Sequence, residues 1–239
     1  MKDRQSSRRL FLMQSLLLGV AFGPMGCAPV PIRQGIRRME GEARLGDRPI
    51  GVDGLVRPGE TVQTGAHGRL VLVMGEDAFL LGPETRLQFH AAAVLPEATP
   101  EPEFLPSVRP DPGVVPSSPA QSTGYTLHSG RVLSVFGRGP RALVTPTATI
   151  GIRGTGLFLE VAPEQDYLCL CYGRVEIRMK DAPQHLEHLE ATHHSARYLA
   201  AKTPVRKAPM LHHTDEELYM LEALVHRVPP FDGEPPHSY

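Results

Sequence analysis

Two cysteines separated by one residue, Cys169-Leu-Cys171, are the side chains best suited to chemistry in this chain. They lie in a β-favouring apolar run, and in a strand residues i and i+2 share one face. Regular strand geometry would separate their Cα atoms by about 6.6 Å, near the upper limit for a disulfide, so such a bond would be strained. Two thiolates on one face also form half of a metal site. A metal site, a strained or redox-active disulfide and a pair of buried free thiols are all open at this point.

Histidine is concentrated towards the C-terminus, where 8 of the 11 histidines lie at or beyond His185. Two adjacent pairs occur, His193-His194 and His212-His213. Imidazoles together with thiolates suit zinc, iron or another borderline-soft ion. We therefore predict Cys169, Cys171, His193 and His194 as candidate metal ligands, although their spacing matches no zinc motif. The alternative is a solvated, histidine-rich surface.

Residues 145–156, Thr-Pro-Thr-Ala-Thr-Ile-Gly-Ile-Arg-Gly-Thr-Gly, combine strand formers with three glycines and one arginine. Alternation places Ile150 and Ile152 towards the core and Arg153 towards solvent. Gly154 and Gly156 permit a positive φ or a close backbone approach. The glycine spacing is wrong for a dinucleotide loop, and no βαβ pattern surrounds it. We predict a glycine-rich sheet corner, in which Arg153 pairs with a carboxylate or carbonyl groups or else contacts an anion or a partner.

Short apolar segments alternate with turn residues at even spacing along most of the chain. The 24 prolines, 23 glycines and only 6% aromatic residues suit many short strands. Residues 69–74 are apolar on both faces, so we expect this strand to be covered on both sides. A turn at Gly173 is expected to separate two late strands. The predicted strands are 60–64, 69–74, 78–81, 85–89, 130–136, 142–145, 156–161, 167–172 and 175–179. The pattern predicts an all-β sandwich, barrel or short β-solenoid.

The glycine-rich run, with segments 59–65, 68–70 and 82–87, resembles the FecR domain family, the periplasmic part of the iron-dicitrate regulator and of related envelope proteins. The resemblance covers roughly 140 residues. The family usually has an Asp-Gly turn before its third strand, whereas here residues 76–78 read Glu-Asp-Ala. The resemblance implies an all-β domain that senses or binds a partner in the cell envelope.

The N-terminus is expected to be an export signal rather than part of the fold. A basic head that ends in Arg8-Arg9 precedes a mostly apolar run over residues 10–22, which is short for a membrane span. Residues 7–12 resemble a twin-arginine export motif, with ordinary Sec export as the alternative. We expect this signal segment, residues 1–27, to be disordered.

Cys27 closes this signal. The pair Gly26-Cys27 resembles a lipoprotein cleavage site, although Pro24 stands where that motif usually has leucine. A lipidated Cys27 would anchor the protein to the periplasmic face of a membrane. The alternative is ordinary cleavage nearby, which would leave Cys27 as a free or paired thiol.

We expect a β domain over residues 41–180, interrupted by a proline-rich loop at 95–123 that cannot join a sheet. Residues 181–239 form a histidine-rich extension, in which His185 and His188 are spaced as one helical turn. The segment Thr214-Asp-Glu-Glu217 is a capping box, and leucines at helical spacing follow it. A helix over about 214–227, ended by Pro229-Pro230, is therefore predicted to pack on the β domain.

The net charge and the absence of two catalytic motifs restrict the classes of function that this sequence predicts. Residues 1–27 carry four basic side chains and one acidic, so the 25 basic and 26 acidic residues of the chain fall to 21 and 25 without them, a net charge of −4. The charges are interspersed, so nucleic acid is not expected as a partner. Neither a Gly-x-Ser-x-Gly elbow nor a His-Glu-x-x-His motif occurs, so we expect no enzyme.

Three functions follow from these observations. Regulators of the FecR family carry a cytoplasmic segment that controls a sigma factor, followed by a spanning helix; here only nine residues precede the short apolar run. We therefore expect first a non-catalytic binding, scaffold or signalling module that acts on envelope proteins or polymers. A periplasmic metal-binding or metal-sensing protein is the second hypothesis. An iron-transport-type regulator that acts through a separate membrane partner is the third.

Overall fold

Evenly spaced strand segments and turns form an all-β fold with one C-terminal helix, as the sequence predicts. The computed structural model describes residues 30–90 and 124–233. The predicted signal at 1–27 with Cys27, and the proline-rich loop at 95–123, lie outside the described residues. The strands are β1 Gly35–Glu40, β2 Ala43–Leu45, β3 Arg48–Pro49, β4 Thr61–Thr64, β5 Arg69–Met74, β6 Asp77–Leu81, β7 Arg86–Phe89, β8 Gly124–Val135, β9 Pro140–Val144, β10 Ala148–Arg153, β11 Gly156–Val161, β12 Asp166–Met179, β13 Leu186–Ala191, β14 Ser195–Leu199 and β15 Arg206–Ala208; the helix is α1 Asp215–Leu224.

The strands form two sheets that share two long strands. The front sheet has the order β1-β5-β6-β8-β11-β12-β14-β15. The back sheet has the order β3-β2-β4-β7-β8-β9-β10-β12-β13. All of these pairings are antiparallel except that of β8 with β9. The arrangement is a sandwich joined at its corners, rather than a solenoid.

Two glycines let the long strands pass from one sheet to the other. Strand β8 pairs within the back sheet before Gly130 and within the front sheet after it, and β12 makes the reverse passage at Gly173. Both glycines have positive φ, 77° and 97°, which bends the strand without ending it. The predicted turn at Gly173 is therefore wrong, because the chain continues as one strand across the corner.

The fold has two apolar cores on opposite faces of the front sheet. The main core lies between the sheets and contains Leu70, Leu72 and Ile150. The second core lies on the outer face of the front sheet, contains Val71 and Val73, and is closed by α1. Strand β5 thus has apolar neighbours on both faces, which confirms the prediction for residues 69–74.

The glycine-rich run forms one corner of the sandwich. Strand β10 belongs to the back sheet and β11 to the front sheet, and Gly154 with Thr155 joins them. Gly154 has a φ of 59°. A Cβ atom on Gly156 would lie 2.4 Å from Cε1 of Tyr172, so no side chain fits there. The corner predicted from the sequence is confirmed, and its glycines serve chain reversal and close packing.

Strands extend further in both directions than the sequence pattern indicated. Strand β1 precedes the expected start at 41, and β13, β14 and β15 continue both sheets beyond residue 180. His188 lies in β13 and His185 just before it, so the helical spacing of these two histidines is not used. Polar residues that alternate on an exposed edge strand such as β13 give a weak apolar signal, which is why this strand escaped prediction.

Helix α1 begins and packs as its sequence predicts. The Thr214 side chain accepts from the Glu217 amide, and the Glu217 side chain accepts from the Thr214 amide, which completes the capping box. Acidic residues occupy the first turn, where their negative charge interacts favourably with the positive end of the helix dipole. Leu218, Leu221 and Val225 are buried in the second core. Within the described ranges, no helix has the length and hydropathy that a membrane span requires.

Candidate metal centre

Strand β12 places both thiols in the second core. Cys169 and Cys171 are separated by one residue, so both side chains point to the outer face of the front sheet. Both residues are 0% exposed, and both are free thiols. The structure therefore places two unbridged thiols side by side in the second core, which α1 closes.

Two histidines from other segments reach the same place. His194 lies in the short connection between β13 and β14, and its amide donates to the Cys171 carbonyl at 3.0 Å. His213 directly precedes Thr214, the N-cap of α1, and its ring stacks on Phe158 with a centroid separation of 4.6 Å. The side chain of His194 is 2% exposed, and His213 is 6% exposed. Strand pairing positions the first imidazole, and the start of the helix positions the second.

The four potential ligand atoms converge on one point. His194 Nδ1 lies 3.5 Å from Cys169 Sγ, and His213 Nε2 lies 3.5 Å from Cys171 Sγ. The two ring nitrogens are 3.4 Å apart. All four ligand atoms lie within 4.8 Å of one another.

These separations are those of a tetrahedral zinc site. Bonds of about 2.3 Å for Zn–S and about 2.0–2.1 Å for Zn–N place sulfur and nitrogen corners about 3.6 Å apart and two nitrogen corners about 3.3 Å apart. The observed sulfur-to-nitrogen and nitrogen-to-nitrogen distances agree with these values to within about 0.1 Å. Three of the six ligand-to-ligand distances of this Cys₂His₂ set thus match those of a zinc-bound state, and the others lie within 4.8 Å.

The second nitrogen of each ring is held by a hydrogen-bond acceptor. His213 Nδ1 donates to the Leu211 carbonyl at 2.8 Å, and His194 Nε2 donates to the Asp215 carboxylate at 2.8 Å. When a ring is neutral, these acceptors hold its proton on the far nitrogen, so the near nitrogen can present its lone pair to a metal ion at the centre. Such carboxylate and carbonyl partners orient metal-bound histidines in proteins generally.

Of the two histidines predicted beside the cysteines, the structure brings only His194 to the thiols. His193 Nε2 lies 3.1 Å from the Asp215 carboxylate, and its ring stacks on Phe231. His213 takes the fourth position, and neither it nor Asp215 was among the predicted site residues. The adjacent pair His212-His213 and the capping box were visible in the sequence, but nothing there places the start of α1 beside β12.

The electrostatics of the cluster favour one ionised thiolate. The hydrogen bond from Cys171, followed by those from His194 and His213, holds the pKa of Cys169 well below its usual range. Burial raises the pKa of Cys171, and the neighbouring Cys169 raises it further. Burial would lower the pKa of His194, but its hydrogen bonds to Cys169 and Asp215 outweigh burial and raise it.

Asp215 completes this arrangement as an anion. Burial would raise the pKa of Asp215, but hydrogen bonds from His194 and His193 hold it below its usual value. A deprotonated carboxylate at this position stabilises the proton on His194 Nε2. The pKa directions of thiol, imidazole and carboxylate are therefore consistent with one connected polar network.

Arg153, the predicted anion or partner contact, lies on β10 and is not one of the candidate metal ligands. It is exposed at the end of β10, and its cross-strand neighbour is Pro140. Within the part of the chain that the structure describes, no ion pair or side-chain hydrogen bond of Arg153 is found. The predicted pairing with a carboxylate or a carbonyl group is absent there, and the side chain is open to solvent.

No protein-family model matches the chain. No curated protein matches it either. Two crystal structures from Parabacteroides distasonis ATCC 8503, at 1.65 and 2.50 Å resolution and each described as "a putative anti-sigma factor", are similar to it at 12% and 11% identity, both with a TM-score of 0.43. Each alignment covers 68% of this chain and 64% of the other, so the chain spans less than two thirds of their length. At this TM-score the likeness supports no argument about function.

Proposed function

We propose that this protein is a non-catalytic, zinc-binding β domain, with Cys169, Cys171, His194 and His213 as the ligands. One observation carries the proposal: four buried ligand atoms from three separate segments lie within 4.8 Å of one another, and three of their separations match those of a zinc tetrahedron. Apolar packing alone does not explain why two thiols and two oriented imidazoles converge on one point.

The donor set selects zinc among common metal ions. Thiolates and imidazoles in tetrahedral order suit zinc, and iron is the nearest competitor because it also accepts sulfur ligands. Calcium and magnesium require oxygen ligands in larger numbers. The Asp215 carboxylate, which contacts the ligand set, bonds to the far nitrogen of His194. It supports a ligand and leaves the four N and S positions to the ion.

Burial of all four ligands supports a structural role over a catalytic one. Catalytic zinc keeps one position open to water or substrate, whereas structural zinc is closed by four protein ligands. Cys169, His194 and Asp215 form a hydrogen-bonded series of thiol, imidazole and carboxylate. The same arrangement occurs in enzymes that activate a cysteine nucleophile. However, Cys169 is fully buried, so no substrate reaches its sulfur.

Elemental analysis of protein purified without chelator tests the zinc proposal. We expect about one zinc ion per chain, because four ligands close one site. Cys169→Ser/Cys171→Ser should lose the zinc, because hydroxyl groups do not replace thiolates as zinc ligands. His188→Ala is the matched control, since that histidine lies on β13 in the back sheet and its side chain is 66% exposed and faces Glu176.

Cobalt substitution gives a second readout of the same centre. Tetrahedral Co²⁺ bound by sulfur absorbs strongly in the visible range, so the wild type and His188→Ala should show this spectrum and the double cysteine variant should not. Sub-stoichiometric metal that is unchanged in the double variant would contradict the proposal. A disulfide between Cys169 and Cys171 in freshly purified protein, detected by mass spectrometry, would also contradict it.

A role in the cell envelope is the second candidate function, supported by the resemblance of residues 145–156 and their neighbours to the FecR family. In this view the zinc-bound domain acts as a binding or signalling module on the periplasmic side. A lipid on Cys27 would anchor it to the membrane, and an envelope protein or polymer would be its partner. Exposed Arg153, at a corner of the sandwich, is the residue proposed to contact that partner or an anion.

Mass spectrometry of protein extracted from membranes tests the envelope role. We expect a mature N-terminus at Cys27 that carries lipid, and release of Cys27→Ser from the membrane fraction, because one diacylated cysteine supplies the anchor. Crosslinking in intact cells should recover one recurrent partner, and Arg153→Ala should weaken its capture more than Arg174→Ala, a neighbouring exposed arginine. An unmodified Cys27, or a mature N-terminus that excludes it, would end the anchor proposal.

A further inference from the structure

We propose that metal occupancy controls whether helix α1 stays docked on the front sheet. This inference rests on the proposed zinc site and adds a regulatory consequence to it. Bound zinc would hold the helix against the sheet, and loss of the zinc would expose an apolar sheet face to solvent.

The centre joins the helix to the sheet at the point where the helix begins. Two ligands, Cys169 and Cys171, belong to β12 in the middle of the front sheet. A third, His213, is the residue before the N-cap of α1. Asp215, the first residue of α1, bonds to the fourth ligand, His194. One ion would therefore connect the sheet to both residues that flank the N-cap.

The helix by itself is too short to persist. It has ten residues, whereas isolated helices shorter than roughly 12–15 residues are marginal in water. No basic residue occupies its last turn to favour the dipole. The helix is therefore stable only while Leu218, Leu221 and Val225 remain packed in the second core.

Other polar contacts lie along the rest of the helix. Glu217 pairs with Arg69, whose side chain is 46% exposed. Glu222 is buried and accepts from Tyr172 and Arg227. These contacts hold the middle and the end of the segment, whereas the metal centre holds its beginning.

The surface beneath the helix is apolar. Helix α1 contacts β6 and β8, and the outward side chains of the front sheet in this core include Val73, Leu80, Leu133 and Val135. Undocking would expose these side chains together, and soluble monomers rarely leave large contiguous apolar patches uncovered. A metal-dependent cover over such a face is a two-state element of the kind that regulatory proteins use.

Hydrogen exchange measured by mass spectrometry tests this inference. Full-length protein is compared with zinc bound, after removal of zinc by a chelator under reducing conditions, and after zinc is added back. We expect exchange in residues 215–225 to rise at least about tenfold on zinc removal and to return on re-addition, while peptides from β7 and β10 in the back sheet stay protected. Zinc content is measured on the same samples.

His213→Ala separates zinc binding from helix docking. Three ligands remain, and three protein ligands with a water suffice to hold zinc. In this variant we expect zinc to be bound, while the exchange of residues 215–225 rises well above that of the zinc-bound wild type, because only the Asp215–His194 hydrogen bond then links the helix to the centre. His188→Ala should behave as the wild type in both measurements.

The outcomes distinguish the two proposals. A wild type without zinc would refute the zinc site itself. Stoichiometric zinc together with equal exchange of α1 with and without the ion would refute helix control and leave the zinc site standing. Loss of protection in both sheets to the same extent as in residues 215–225 on zinc removal would also refute it, because the ion would then hold the whole domain rather than the helix in particular.

Discussion

Removing zinc is expected to lower the midpoint of thermal unfolding by about 8–16 °C. An ion that binds only the folded state, at a free concentration about a thousandfold above Kd, adds about 4 kcal/mol to the free energy of unfolding. For a domain of this size, each kcal/mol moves the midpoint by about 2–4 °C. Scanning calorimetry of zinc-loaded and chelator-treated protein, both reduced, measures the difference.

Variants at the ligands serve as internal comparisons for this result. Cys169→Ser/Cys171→Ser should unfold near the midpoint of the zinc-free wild type and should not respond to added zinc. His188→Ala should keep both the high midpoint and the response. Equal midpoints of the wild type with and without zinc would mean that the four side chains form a packed network and hold no ion.

Arg141→Met is expected to destabilise the fold by about 3–5 kcal/mol, because it leaves a buried carboxylate without its partner. Asp77 is 1% exposed and the Arg141 side chain 5%. The guanidinium donates to both oxygens of Asp77, at 3.0 and 3.3 Å, and the Gly137 amide donates to one of them. This ion pair joins β6 of the front sheet to β9 of the back sheet. Urea unfolding at an unchanged m value measures its contribution.

The double variant Asp77→Asn/Arg141→Met should recover much of this loss, since replacing both partners removes the stranded charge. Arg174→Met is the matched control: its ion pair with Glu190 is exposed, so we expect no change of midpoint. A cost of Arg141→Met no greater than that of the control would show that the pair contributes little.

The pH dependence of the same variant has a defined sign. Burial raises the pKa of Asp77, and Arg141 opposes that rise, so the pKa should climb further in Arg141→Met. An acid whose pKa is higher in the folded state loses stability as pH rises through that value. The cost of the substitution should therefore be smaller at acid pH than at neutral pH.

Sequence patterns predicted the strands and the helix start correctly where these depend on residues that are close together in the chain. Strands β4, β5, β6, β7 and β11 follow from apolar residues bounded by glycine and proline, because these residues favour extended chain between turns. The capping box located the start of α1 to within one residue. The turn predicted at Gly173 failed for a physical reason: a positive φ can bend a strand that remains paired on both sides of the bend.

The candidate centre was only half visible in the sequence. Strand alternation predicted that Cys169 and Cys171 share a face, and the histidine-rich C-terminal region suggested partners. Selection of His213 over His193 was not predictable, because His213 lies 42 residues beyond Cys171 and meets it only when α1 docks on the front sheet. The supporting role of Asp215 depends on the same docking.

The amino-acid sequence sufficed to predict several of the strands with their apolar faces, the two thiols on one side of a strand and the capped helix. Those features depend on local sterics, on local hydrogen bonds and on the periodicity of apolar residues, and all three are set within a short segment of chain. The tertiary structure alone decided how two strands cross between sheets and which two imidazoles face the thiols. Such contacts join residues distant along the chain, so they are fixed only when sheet pairing and burial of both cores bring the segments together.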